Sequence, residues 1–84
     1  MKYIVRVWEI LCDETGYDDR LHAVIPVDAR NPRSAARQAA RRTRLWNIYN
    51  PDMLIECVVM TTGESRRNPC GEWDFMYNQR DRGD

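Results

Sequence analysis

Apolar and polar residues change their rhythm several times along this 84-residue chain, and each change predicts an element. "KYIVRVWEIL" (2–11) is rich in β-branched and aromatic side chains and reads as a first strand. "LHAVIPVDA" (21–29) alternates, with Leu21, Ala23, Ile25 and Val27 on one side and His22, Val24, Pro26 and Asp28 on the other. Pro26 lacks a ladder donor, so this second strand belongs at a sheet edge. Between the two, "CDETGYDDR" reads as a polar loop. "DMLIECVVMTT" (52–62) is so nearly continuous in its apolar character that it predicts a buried third strand. In "EWDFMYN" (72–78), Trp73, Phe75 and Tyr77 alternate against Glu72, Asp74 and Met76, giving a fourth.

One segment switches to helical spacing. Asn31 can cap it, Pro32 suits its first turn, and alanines recur at 35, 36, 39 and 40. Its end falls near 45–47, where Asn47 can take a left-handed stop. Three Asn-Pro pairs, at 31–32, 50–51 and 68–69, punctuate the chain at these boundaries. The order is β-β-α-β-β. A right-handed crossover makes strands 2 and 3 parallel, and placing strand 1 between them makes every neighbouring pair antiparallel. The expected fold is therefore α+β: a four-stranded antiparallel sheet of order 2-1-3-4 with one Ala-rich helix on one face. Residues 1–78 form a single domain, "GESRRNPCG" (63–71) is a loop within it, and 79–84 is a frayed polar tail.

Composition refines this picture. At 43 % apolar and 31 % charged residues, the chain is globular rather than disordered. No apolar run approaches the roughly 20 residues that span a bilayer. The opening strand is broken by Arg6 and Glu9, unlike a secretory leader, so a cytosolic protein is expected. Cys12, Cys57 and Cys70 form neither a disulfide framework nor a zinc spacing; Cys57 reads as a core residue and Cys70 as an exposed thiol.

Charge changes the picture most. The formal net charge is zero, yet residues 29–44 hold six arginines and no acid between two acidic flanks. At about 100° per residue, Arg33, Arg37, Arg41 and Arg44 share a narrow arc separate from that of the alanines, with Arg30 close by and Arg42 pointing elsewhere. Such a row is either the solvated side of the helix or a grip for phosphate or for a partner's acidic surface. Like charges in line repel, which favours a use. Trp46 and Tyr49 follow directly, and aromatics beside arginines make interface hot spots, although both residues could instead seal the helix end. The predicted partner-binding set is thus Arg30, Arg33, Arg37, Arg41, Arg44, Trp46 and Tyr49. Asp13, Glu14, Asp18 and Asp19 form a second, acidic contact loop that lacks calcium-ligand spacing, so no metal is expected. Trp73, Phe75 and Tyr77 could stack bases or simply cover the sheet. His22 is the single histidine, on the polar side of an edge strand, and no nucleophile or phosphate-loop motif is present. Neither catalysis nor a cofactor is expected.

The layout "MKYIVRVWEI … LHAVIPVDARNPRSAARQAA … MLIECVVM … EWDFMY", with its "VxAxxPxxAA" phrase opening the Ala-rich helix, resembles small phage-encoded anti-CRISPR and host-takeover proteins. That resemblance implies a non-catalytic inhibitor that binds a larger host protein or nucleoprotein complex, such as a CRISPR effector. Several members of the class are acidic mimics of DNA, and the basic ridge here departs from them. The alternative is a small nucleic-acid-binding regulator that uses the ridge directly, and a third possibility is a homodimer.

Overall fold

The computed structural model describes residues 1–62 and 70–76. Within them lie β1 (Lys2–Asp13), β2 (Gly16–Asp28), α1 (Pro32–Arg41), a 3-10 turn (Arg44–Asn47), β3 (Met53–Thr61) and β4 (Gly71–Met76). The sheet order is β2-β1-β3-β4 with every neighbouring pair antiparallel, as the pattern predicts. Most of the 63–71 loop, Tyr77, the 79–84 tail and the domain end at 78 fall outside the described residues. Among those described, no helix is long and apolar enough to cross a membrane.

The helix begins where its cap chemistry places it. The Asn31 side chain accepts a hydrogen bond from the Ser34 N–H at 2.8 Å, and Pro32 occupies the first turn. Ala35, Ala36, Ala39 and Ala40 are fully buried against the sheet. Their short side chains bring the helix backbone close to Tyr3, Val5, Val7, Val27, Ile55, Cys57 and Val59, which complete the core with Met53, Leu45 and Phe75. Each buried Val or Ile contributes about 1.5–3 kcal/mol relative to exposure.

Four expectations are corrected. First, "CDETGYDDR" is not a long loop. β1 and β2 continue through it as one hairpin and close on Glu14 and Thr15, with Asp13 opposite Gly16. The Asp13 carboxylate accepts from the Thr15 hydroxyl at 2.6 Å and from the Thr15 N–H at 2.8 Å, which holds its pKa below the usual aspartate value. Gly16, at φ +135°, supplies the backbone shape that a side chain would resist.

Second, β2 does not alternate without interruption. Val7 pairs with Ala23 but Trp8 with Leu21, so His22 is an extra, bulged residue. Past the bulge the faces exchange, and Leu21 joins Trp8 instead of Ala23, Ile25 and Val27.

Third, the α-helix stops at Arg41. The Thr43 hydroxyl donates to the Ala40 carbonyl at 2.7 Å and the chain tightens into the 3-10 turn. Asn47 takes no left-handed stop, since no described residue other than glycine has a positive φ. Fourth, β3 is not buried without interruption: Met53, Ile55, Cys57 and Val59 are covered by the helix side, whereas on the other face Leu54, Glu56 and Val58 are half-buried and only Met60, near the strand end, is buried.

Pro26 lies on the edge strand as predicted. Its carbonyl accepts a hydrogen bond from the Arg42 guanidinium at 3.3 Å, so its proline nitrogen also faces the open side.

Candidate partner-binding faces

On α1, Arg33, Arg37 and Arg41 recur every fourth residue away from the alanine face. Arg33 and Arg41 are exposed. Arg37 is half-buried, its guanidinium 5.6 Å from the Trp46 ring centroid and 5.9 Å from that of Phe75. Burial, reinforced by Arg41 and Arg33, lowers the Arg37 pKa from its ordinary value. Arg44 does not continue the helical row, because the α-helix has ended; it is exposed on the 3-10 turn. Arg30 is exposed just before the cap, and Arg42 is turned to Pro26. The ridge is thus three arginines on α1 with one more displayed beyond each end. Among the described residues, no carboxylate pairs with Arg30, Arg33 or Arg44.

The two predicted aromatic anchors separate. Trp46 packs edge-on to Phe75, with centroids 5.6 Å apart and planes at 62°, and closes the helix end over the sheet. Tyr49 is 73 % exposed and remains a surface residue. Phe75 is buried and Trp73 half-buried against the core, so neither offers a stacking platform for bases; Tyr77 lies outside the described residues.

The acidic set also separates. Asp13 and Glu14 belong to the hairpin turn, whereas Asp18 and Asp19 lie on β2 opposite Leu11 and Ile10, on alternate faces. They are not one loop-borne knob. Among the described residues, no group of three or more His, Cys, Asp or Glu side chains is placed to hold a metal ion. His22 is exposed at the bulge and Cys12 and Cys70 are exposed, while burial pushes the Cys57 thiol up to about 12.

A second face escaped the sequence reading. The helix covers one side of the sheet; the other carries the even-numbered residues of β1, β3 and β4, together with Leu21 and Val24 from β2. Across its middle run Leu21, Trp8, Glu56 and Asp74, and beside them Asp19, Ile10, Leu54 and Met76. Trp8, Ile10, Leu54 and Met76 are half-buried, while Leu21 is 44 % and Val24 53 % exposed. Partial burial among these apolar neighbours raises the Glu56 pKa, with Asp74, Glu72 and Asp19 adding to the rise. The signal was present in the sequence: the second alternation of β1 and β3 carries Ile4, Trp8, Ile10, Leu54 and Val58 beside Arg6 and Glu56, and among the described residues one α-helix covers a single face.

Compared with known proteins, the chain matches no family model, no curated protein and no solved structure.

Proposed function

We propose that this chain is a non-catalytic binding protein that docks on an acidic surface of a larger protein or nucleoprotein assembly through its arginine-bearing helix face, and thereby inhibits or modulates it. The observation that carries the reading is the exposure of Arg30, Arg33 and Arg44 with no described carboxylate to pair with them. Guanidinium groups displayed on a rigid element suit bidentate recognition of carboxylate or phosphate. Tyr49, exposed and five residues beyond Arg44 in the chain, offers an aromatic contact of the kind that anchors interfaces. The layout's resemblance to anti-CRISPR proteins makes a CRISPR effector complex the first partner to try.

Direct binding of nucleic acid by the same row is the second reading, favoured by the concentration of six arginines and no acid within residues 29–44. One variant tests both. Arg30→Ala/Arg33→Ala/Arg44→Ala removes cations that support no described contact, so its stability should stay within about 0.5 kcal/mol of the parent per site. Under the first reading it loses capture of the purified effector complex while the parent retains it. Under the second, the parent shifts a DNA duplex with steep salt dependence, and the variant's log–log salt slope falls by about one per arginine removed. Unchanged capture together with an unchanged slope would show the row to be solvation alone.

A further inference from the structure

We propose that the helix-free face of the sheet is a second docking surface, and that its occupant is a cationic amphipathic helix of another protein. In this arrangement the occupant's apolar side chains lie over Trp8, Ile10, Leu54 and Met76, and a lysine or arginine meets Glu56 and Asp74. The face is independent of the arginine ridge, which lies on the other side of the sheet.

Three observations fix the chemistry of the occupant. The first is hydrophobicity. An antiparallel sheet with one wet face ordinarily turns polar residues outward, but here Trp8, Ile10, Leu54, Val58 and Met76 are turned away from the core. Contiguous apolar residues rimmed by charge mark a recognition surface.

The second is the sign of the charge. Glu56 pairs with Asp74 on β4, Glu72 lies one row away, and Asp19 approaches from β2. Arg6, opposite Val24 and Val58, is the cation nearest this group in the strand register. Among the described residues, no cation lies in the same row as Glu56 and Asp74, so the β3–β4 side of the face suits a positive group from a partner. A cation there would also relieve the repulsion that these carboxylates impose on Glu56.

The third concerns a second copy of this chain, which fits poorly in either orientation. Two such faces brought together by a twofold axis running across the strands would set apolar residues together but Glu56 and Asp74 of one copy near those of the other, and an axis along the strands would lay these acids over Leu21 and Asp19, which offer no cation. The chain's own basic helix, laid on this face, would present Arg41, Ser34, Gln38 and Arg37, an outward arc without apolar side chains. It would satisfy Glu56 and leave Trp8, Ile10, Leu54 and Met76 unmatched. A foreign helix carrying both kinds of side chain on one face satisfies both halves.

The test uses the full chain, isotope-labelled for NMR, and three synthetic helical peptides of equal length. One has leucines at i, i+3, i+4 and i+7 with lysines elsewhere; the second replaces the lysines by glutamates; the third scrambles the first. The lysine peptide should bind and move the resonances of Trp8, Leu54, Glu56 and Met76 while leaving α1 unchanged. The glutamate peptide should bind at least about 10-fold more weakly. Glu56→Gln/Asp74→Asn, which preserves side-chain size, should weaken the lysine peptide by about 5- to 10-fold. Equal binding of the scrambled peptide, shifts confined to α1, or no binding at about 1 mM peptide each overturns the proposal. So does sedimentation of the free protein as a dimer that Leu54→Lys dissolves, since the occupant would then be a second copy.

Discussion

The two faces of this one sheet are made from the same strands, one residue out of step, and they have opposite fates. On β3, Ile55, Cys57 and Val59 are fully buried beneath α1, while Leu54, Glu56 and Val58, interleaved with them, are half-buried. On β1, Val5 and Val7 are sealed off and Trp8 is not. A single helix with four buried alanines can seat closely on one side and can do nothing for the other. The lesson is a division of labour. The covered side supplies the fully buried core of a small domain, and the helix-free side holds apolar surface that is only partly removed from water.

A direct way to break that comparison is to truncate neighbours in sequence that face opposite ways. Ile55→Ala opens a cavity at a fully buried position and should cost about 2–4 kcal/mol. Leu54→Ala removes a similar side chain from the helix-free face and should cost less, about 1–2 kcal/mol, since part of its surface still meets water and its truncation leaves no fully enclosed cavity. Urea unfolding followed by circular dichroism measures both. Equal losses would mean that the second face is packed as tightly as the first, and the contrast between them would vanish.

A finer division exists within the helix's own charged row. Arg37 lies over Trp46 and Phe75, so Arg37→Ala removes cation–π contact and the packing of its aliphatic stem, at about 1 kcal/mol. Arg33, one turn earlier and exposed, should change stability by less than about 0.5 kcal/mol when replaced by Ala. Paired thermal melts of the two variants decide whether Arg37 belongs to the fold and Arg33 to the surface. Similar losses in both would place the whole row in the structural category and weaken the case for docking there.

The architecture was legible because its signals are local and mutually consistent. Asn31 and Pro32 mark the helix start, Pro26 marks an edge, and the crossover rule then leaves the order 2-1-3-4. What failed was decided by pairing partners. The acids in "CDETGYDDR" hide a hairpin whose turn is set by Asp13 bonding back to Thr15, and the flip at His22 follows from the register against β1. The alanine and arginine arcs were readable from helical spacing. Arg44 left its arc because Thr43 bonds to the Ala40 carbonyl and ends the α-helix. The helix-free face needed a count of layers: among the described residues, four strands and one α-helix leave one side of the sheet without a covering layer. No single residue announces that deficit, and the apolar run in β3 disguised it as ordinary burial.

The smallest effect tests the electrostatics of the uncovered face. Glu56 has a folded-state pKa above its ordinary value, first through partial burial and then through Asp74 and Glu72 on β4 and Asp19 on β2. Arg6, on β1 in the neighbouring row, does not cancel that rise. The folded chain therefore holds this proton to higher pH than the unfolded chain does. Its contribution to stability is fully present below the unfolded glutamate pKa and is lost as pH rises through the folded one. Asp13 has the opposite sign: its lowered pKa gives stability above the unfolded aspartate value that is lost on acidification. Whole-protein pH curves mix the two, but comparison of the parent with Glu56→Gln removes Asp13, which is common to both. The variant's urea midpoint should exceed the parent's at about pH 7 and approach it at about pH 3.5, where Glu56 is protonated in both states. A midpoint difference independent of pH would mean that Glu56 is fully solvated, and the uncovered face would then lack the desolvated acid that sets it apart from an ordinary wet sheet.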